Sequence, residues 1–216
     1  MQIQKDNIRE DILKVSQEMF LSEGYQKASM RDIAAKVGIS VSNLYNYFRN
    51  KDAIFCTIVE PVVIHFNRTL EEYHGNIGHN SNECIDNISA DTVLNVMTER
   101  YTEILRKCRP QLQLLLFQSQ GTSLEHFKDE FTDRSTFMVQ EWFARLKRRV
   151  PEAQVNITDF FVHINTVWLF TVIEEIISHN ISDDDAKHIF HEYGTFQMLG
   201  WGAMLNVDPR WFMTRV

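Results

Sequence analysis

With 216 residues, 44% of them hydrophobic, the chain suits one large helical domain, or a small domain plus a larger one. Four Pro and eight Gly leave little room for a turn-rich β architecture, and three scattered Cys without CxxC spacing form no disulfide framework and fit a reducing cytoplasm. A formal charge of −7 argues against nucleic acid for the chain as a whole, but residues 1–52 carry eight Lys/Arg and seven Asp/Glu, so the acidity lies beyond the amino-terminal quarter.

The opening "MQIQKDNIRED" mixes both charge signs and has no apolar run, so no signal peptide is expected. In "NIREDILKVSQEMFLSEG", Ile8, Ile12, Val15 and Met19 recur at helical spacing, and Gly24 suits the stop. Ser29 is an expected N-cap for "MRDIAAKV", with Asp32 three residues on, where a carboxylate complements the helix dipole and the free N–H groups. Gly38 closes that helix, and Ser40 is placed to cap another from about Val41 to Tyr47. Two short helices around a glycine bend, clamped by Ile33, Val37, Ile39, Leu44 and Phe48, read as a helix-turn-helix.

From Asn50 helical spacing resumes, and Pro61 is expected to bend that helix. Residues 75–90, polar and rich in Gly and Asn, read as a linker. Further helices are expected over 91–107, 109–119, 124–149, 157–178 and 183–205, with breaks at Pro110 and Pro151 and with Ser182 as the last N-cap. The apolar stretch from Phe160 is interrupted by His163, Asn165, Glu174 and Glu175 and reads as too polar to span a bilayer. No strand-like alternation occurs, so the fold class expected is all-α.

Taken together, "GYQKASMRDIAAKVGISVSNLYNYFRNKDAIF" resembles the DNA-binding domain of the TetR family of bacterial transcription regulators. The resemblance covers about residues 8–55, and Ser42 stands where many relatives have Gly. It implies a three-helix DNA-binding head over residues 1–50 and, over 51–216, a larger carboxy-terminal helical bundle that binds an effector and dimerises through the last two helices. The expected DNA contacts are Ser29, Arg31, Ser40, Val41, Ser42, Asn43, Tyr45, Tyr47 and Lys51. The residue types suit the task. The first turns of a helix in the major groove reach base edges, so Asn43 is placed to pair with an adenine and Val41 to touch a thymine methyl. Tyr45, Tyr47 and Lys51 offer hydroxyls and a cation to phosphates, and Ser29 and Ser40 mark helix N-termini whose N–H groups favour phosphate oxygens.

An aromatic-rich second domain suggests an apolar cavity with a few polar anchors, and Tyr101, Trp142, Phe161, Asn165 and Trp168 are the expected effector contacts. In "GTFQMLGWGAML", Gly194, Gly200, Gly202 and Ala203 mark either a tight helix crossing or an early helix end. Asp184, His188 and His191 have the spacing of metal ligands, but an N-cap with acids in its first turn explains the carboxylates without a metal. No cofactor, metal, membrane partner or enzymatic activity is expected. The reading is a cytoplasmic, homodimeric repressor released from a double-stranded DNA operator by a small lipophilic or aromatic ligand. The alternative is a helical ligand-binding or interaction protein without DNA binding.

Overall fold

A computed structural model describes residues 2–74 and 89–208, with side chains from residue 7 onward. Among the described residues the chain is all-α, as the sequence predicts. Its helices are α1 (Gln2–Glu23), α2 (Met30–Val37), α3 (Val41–Tyr45), α4 (Lys51–His74), α5 (Ala90–Phe117), α6 (Phe127–Arg149), α7 (Asp159–Ser178) and α8 (Asp183–Leu205). They form two compact units: Met1–Ile64 with Cys108–Phe127, and His65–Lys107 with Lys128–Val216. Both α4 and α5 contribute residues to each unit. The linker read over 75–90 lies, up to residue 88, outside the described residues.

In the first unit the apolar stripe of α1 (Ile12, Met19, Phe20) is buried together with Ile33 and Ala34 of α2, Leu44 of α3 and Ile54 and Phe55 of α4. Phe20, Tyr25 and Phe55 meet ring against ring, with centroids 5.3 to 5.9 Å apart. Full burial of side chains this large contributes about 1.5–3 kcal/mol each, enough to fix the two short helices α2 and α3, which could not persist alone. Gly38 takes φ +79°, a left-handed conformation that costs glycine little. Its N–H donates to the Ala35 carbonyl, and the next N–H, of Ile39, donates to Ala34, so the chain leaves α2 sharply and re-enters α3 three residues later.

In the second unit α6, α7 and α8 share a core of Trp142, Phe143, Leu146, Val150, Val162 and Leu205. The expected break at Pro110 is a kink instead. Helix α5 runs through it, with Cys108 at φ −131° and ψ 25°. Pro110 cannot donate to the Arg106 carbonyl and crowds it, so the preceding turn yields. Pro61 likewise lies inside a continuous α4. By length and composition alone, α4 and α7 both meet the criterion for crossing a bilayer, a criterion that helices of a bundle also meet. The sequence had rated the α7 stretch as too polar. Helix α8 does not end at Gly200–Gly202 but continues to Leu205, which overturns the early-stop reading of that run. A Cβ on Gly194 would fall 2.8 Å from Cδ1 of Leu94, so here glycine permits a close α5–α8 approach within the chain.

Candidate nucleic-acid interface and candidate ligand cavity

Helix α3 is positioned by its caps and its two buried anchors. The backbone of Ser40 is extended, and its Oγ accepts from the Asn43 N–H at 3.1 Å. Ser29 caps α2 in the same way, accepting from the Asp32 N–H at 3.2 Å and donating its hydroxyl to Asp32 Oδ2 at 2.5 Å. Burial of Leu44 and Phe48 fixes the rotation of the segment. The opposite face is therefore presented outward: Val41 is 37% exposed, Tyr45 52%, and Ser42 is also exposed. Asn43 and Tyr47 are half-buried, and Arg31 and Ser40 are exposed.

The helix is shorter than expected, ending at Tyr45 with Asn46 as C-cap, while the N–H groups of Tyr47 and Phe48 both reach the Leu44 carbonyl. Asn46 was missed by the sequence reading. It is exposed four residues after Ser42, and its amide donates to Asn43 Oδ1 at 3.4 Å. The i, i+4 spacing was the available signal. Lys51 has another occupation. Its half-buried ammonium donates to the carbonyls of Tyr25 (2.6 Å) and Ala28 (2.8 Å) and lies 4.1 Å from the centroid of the Tyr25 ring. Burial lowers its pKa. It ties the loop between α1 and α2 to the start of α4.

The second unit holds a partly open cavity of about 190 Å³. Tyr101, Trp142 and Asn165, three of the five expected effector contacts, line it. Phe161 and Trp168 do not: they are 41% and 38% exposed and pack edge-on against Trp201 and Phe196 respectively. The inward face of α7 is Val162, Asn165, Thr166 and Leu169, one helical position round from the stripe picked by sequence.

No Asp, Glu, Lys or Arg is among the lining residues. The two lining histidines are held neutral: burial, seconded by Arg145, pulls His74 down to about 4, and burial with Arg100 lowers His65. Burial pushes the hydroxyls of Tyr101 and Tyr193 well above the usual tyrosine value. Across the cavity, Gln197 Oε1 accepts from Asn165 Nδ2 at 3.0 Å and from Trp201 Nε1 at 2.9 Å. Among the described residues no three His, Cys, Asp or Glu side chains converge as metal ligands would.

Outside the cavity, α7 and α8 both expose large apolar side chains, and Trp168 of α7 meets Phe196 of α8 edge-on. Phe160, Ile164 and Val167 are exposed on α7, and Phe196 (63%) and Leu199 (64%) on α8. Exposed apolar side chains of this size, where they gather into a patch, mark interaction surfaces rather than solvated ones.

Residues 12–57 match the profile of the bacterial regulatory proteins of the tetR family. The uncharacterized HTH-type transcriptional regulator YvdT of Bacillus subtilis (strain 168) is 25% identical over 173 residues, which cover 79% of this chain and 78% of that protein. Among the solved structures that share the fold are two whose regulatory targets are named. The fatty acid degradation regulator FadR of Bacillus halodurans aligns at a TM-score of 0.60 and 14% identity, covering 88% of this chain and 93% of its own. NalD, the secondary repressor of the MexAB-OprM multidrug efflux pump in Pseudomonas aeruginosa, aligns at 0.57 and 18%, covering 89% and 95%. These proteins are regulators, not enzymes.

Proposed function

We propose that this chain, a member of the TetR family of bacterial transcription regulators, which bind DNA, is a repressor whose operator affinity is lowered by a small ligand held in the second unit. The observation that carries the DNA-reading assignment is the outward face of α3, held proud of its own unit by the Ser40 cap and by the buried Leu44 and Phe48. Val41, Ser42 and Asn43 read base edges in the major groove. Tyr45 and Tyr47, together with Arg31 and the capped helix starts at Ser29 and Ser40, take the flanking phosphates. Lys51, already committed to carbonyls, supports the head instead.

One module of this size covers few base pairs, so the working form is a homodimer on two half-sites. The exposed apolar face of α7 and α8 is the surface that closes it. The ligand is lipophilic or aromatic, in keeping with the cavity lining. Helices α4 and α5 contribute to both units and give a ligand-driven shift a covalent route to the heads. The site of action is the cytoplasm, where the DNA is. DNA reading falls to residues 1–50 and ligand and partner binding to 51–216, of which 51–64 and 108–127 belong to the same compact unit as the head.

The test is a mobility shift on the region upstream of the protein's own gene. Specific retention that weakens steeply with salt is expected, because each neutralised phosphate releases counterions. Binding no tighter than to unrelated DNA would sink the reading.

A further inference from the structure

Gln197 lies 7% exposed on α8 and lines the cavity. The indole N–H of Trp201 can only donate, so the amide must turn its oxygen toward Trp201, and Asn165 donates to the same oxygen. The amide orientation is thereby forced, and its NH₂ group is left on the other side. No acceptor stands in hydrogen-bonding geometry to Nε2 among the described residues. The Tyr193 hydroxyl is close enough to the Gln197 side chain to hydrogen-bond it, and such a bond uses one of the two amide protons and leaves the other unpaired. His65 Nε2, Tyr73 Oη and His74 Nδ1 also lack partners, but a hydroxyl or a neutral imidazole can exchange donor and acceptor roles. The amide cannot. A buried donor left unpaired carries a desolvation cost that a ligand oxygen removes.

Two further constraints bear on that ligand. The lining supplies no charged partner, so an ion of either sign would enter unpaired at high cost. The cavity is partly open, and the roughly 190 Å³ it can bury is little larger than the ~150 Å³ apolar cavity that takes benzene, so it buries about one ring. Resting on the reading of this cavity as the effector site, we propose that its ligand is an uncharged molecule about the size of one substituted aromatic ring, with an oxygen acceptor that takes the Gln197 Nε2–H.

The proposal is tested by calorimetry and by quenching of tryptophan fluorescence on the full-length protein without DNA. Four probes of matched shape are used: acetophenone, isopropylbenzene, benzoate and phenyltrimethylammonium. Acetophenone is expected to bind at least tenfold tighter than each of the others at pH 7.5. In Gln197→Leu, checked for folding by its melting curve, acetophenone and isopropylbenzene should bind within about twofold of each other. Should that variant fail to fold, Gln197→Glu takes its place and should reverse the wild-type order of acetophenone and phenyltrimethylammonium. Equal binding of the hydrocarbon, preference for either ion, or binding of none of the four overturns the proposal. Retained specific operator binding in that last case leaves the regulator reading standing, so the two failures are distinct.

Discussion

Single side chains decide which contacts specify and which merely hold. Asn43 has an amide that can pair with two atoms of an adenine edge, whereas the hydroxyl of Tyr45 offers one bond suited to a phosphate. Asn43→Ala is therefore expected to cost about 1–3 kcal/mol on the preferred operator and to relax its sequence preference. Tyr45→Phe should weaken all sequences alike, because phosphates carry no sequence information. Competition binding against single-base operator variants separates the two, and a uniform loss for Asn43→Ala would remove its base-reading role. His74 makes a second residue-scale prediction, about stability. Its imidazole titrates near 4 in the folded protein against about 6.5 when unfolded. Between those values the unfolded chain holds more protons, so stability is complete above about pH 6.5 and falls as pH drops toward 4. The loss from this group alone is about 2 kcal/mol between pH 7 and pH 5. His65, lowered for the same reason, adds in the same direction. His74→Phe keeps the main-chain carbonyl that accepts from Arg145 at 2.6 Å, and it should flatten the pH dependence of the urea midpoint. An unchanged slope would contradict the burial argument.

Among the elements, glycine in α8 gives the sharpest contrast. Gly194→Ala gains about 1 kcal/mol of helix propensity but puts a methyl 2.8 Å from Leu94 Cδ1, an overlap that costs about 1–3 kcal/mol. A lower melting temperature is expected, restored in part when Leu94→Val withdraws the clashing methyl. A rise in melting temperature for the single variant would show that Leu94 moves aside freely. This crossing also marks the boundary of what the sequence made legible. The caps at Ser29, Ser40 and Ser182 and the left-handed Gly38 are local decisions, taken within four residues, and each appears where the sequence put it. Lys51 is different: the carbonyls it binds lie 23 and 26 residues earlier, and nothing in its own neighbourhood announces them. The α7 stripe failed by one position for a related reason. With apolar residues almost all round the helix, periodicity alone does not say which face meets the other helices and which stays outside. Nor could it show that Gln197, an unremarkable polar residue in sequence, would be pinned by Trp201 four residues on.

For the molecule as a whole, the problem is affinity. The chain carries −7, and the amino-terminal quarter is close to neutral, so long-range attraction to DNA is weak and a single head has few phosphate contacts to offer. Two heads joined in one dimer change the arithmetic, because the second half-site is engaged at a high effective concentration, and avidity then exceeds either single affinity by 10²–10⁴. In the proposed dimer, the exposed face carrying Phe160, Ile164, Phe196 and Leu199 is the surface on which that depends. Leu199→Glu introduces a carboxylate that would be unpaired in an apolar interface but is solvated in a monomer, where the side chain is already 64% exposed. The variant is therefore expected to sediment as a folded monomer with the helical content of the parent. Its affinity for the full operator should fall on the order of 10²-fold, and its salt slope should drop to about half, since half the phosphates are neutralised. Persistence of the dimer would move the interface elsewhere on the molecule. A monomer that still held the full operator at parental affinity and slope would mean that one head suffices, and the two-half-site reading would be lost.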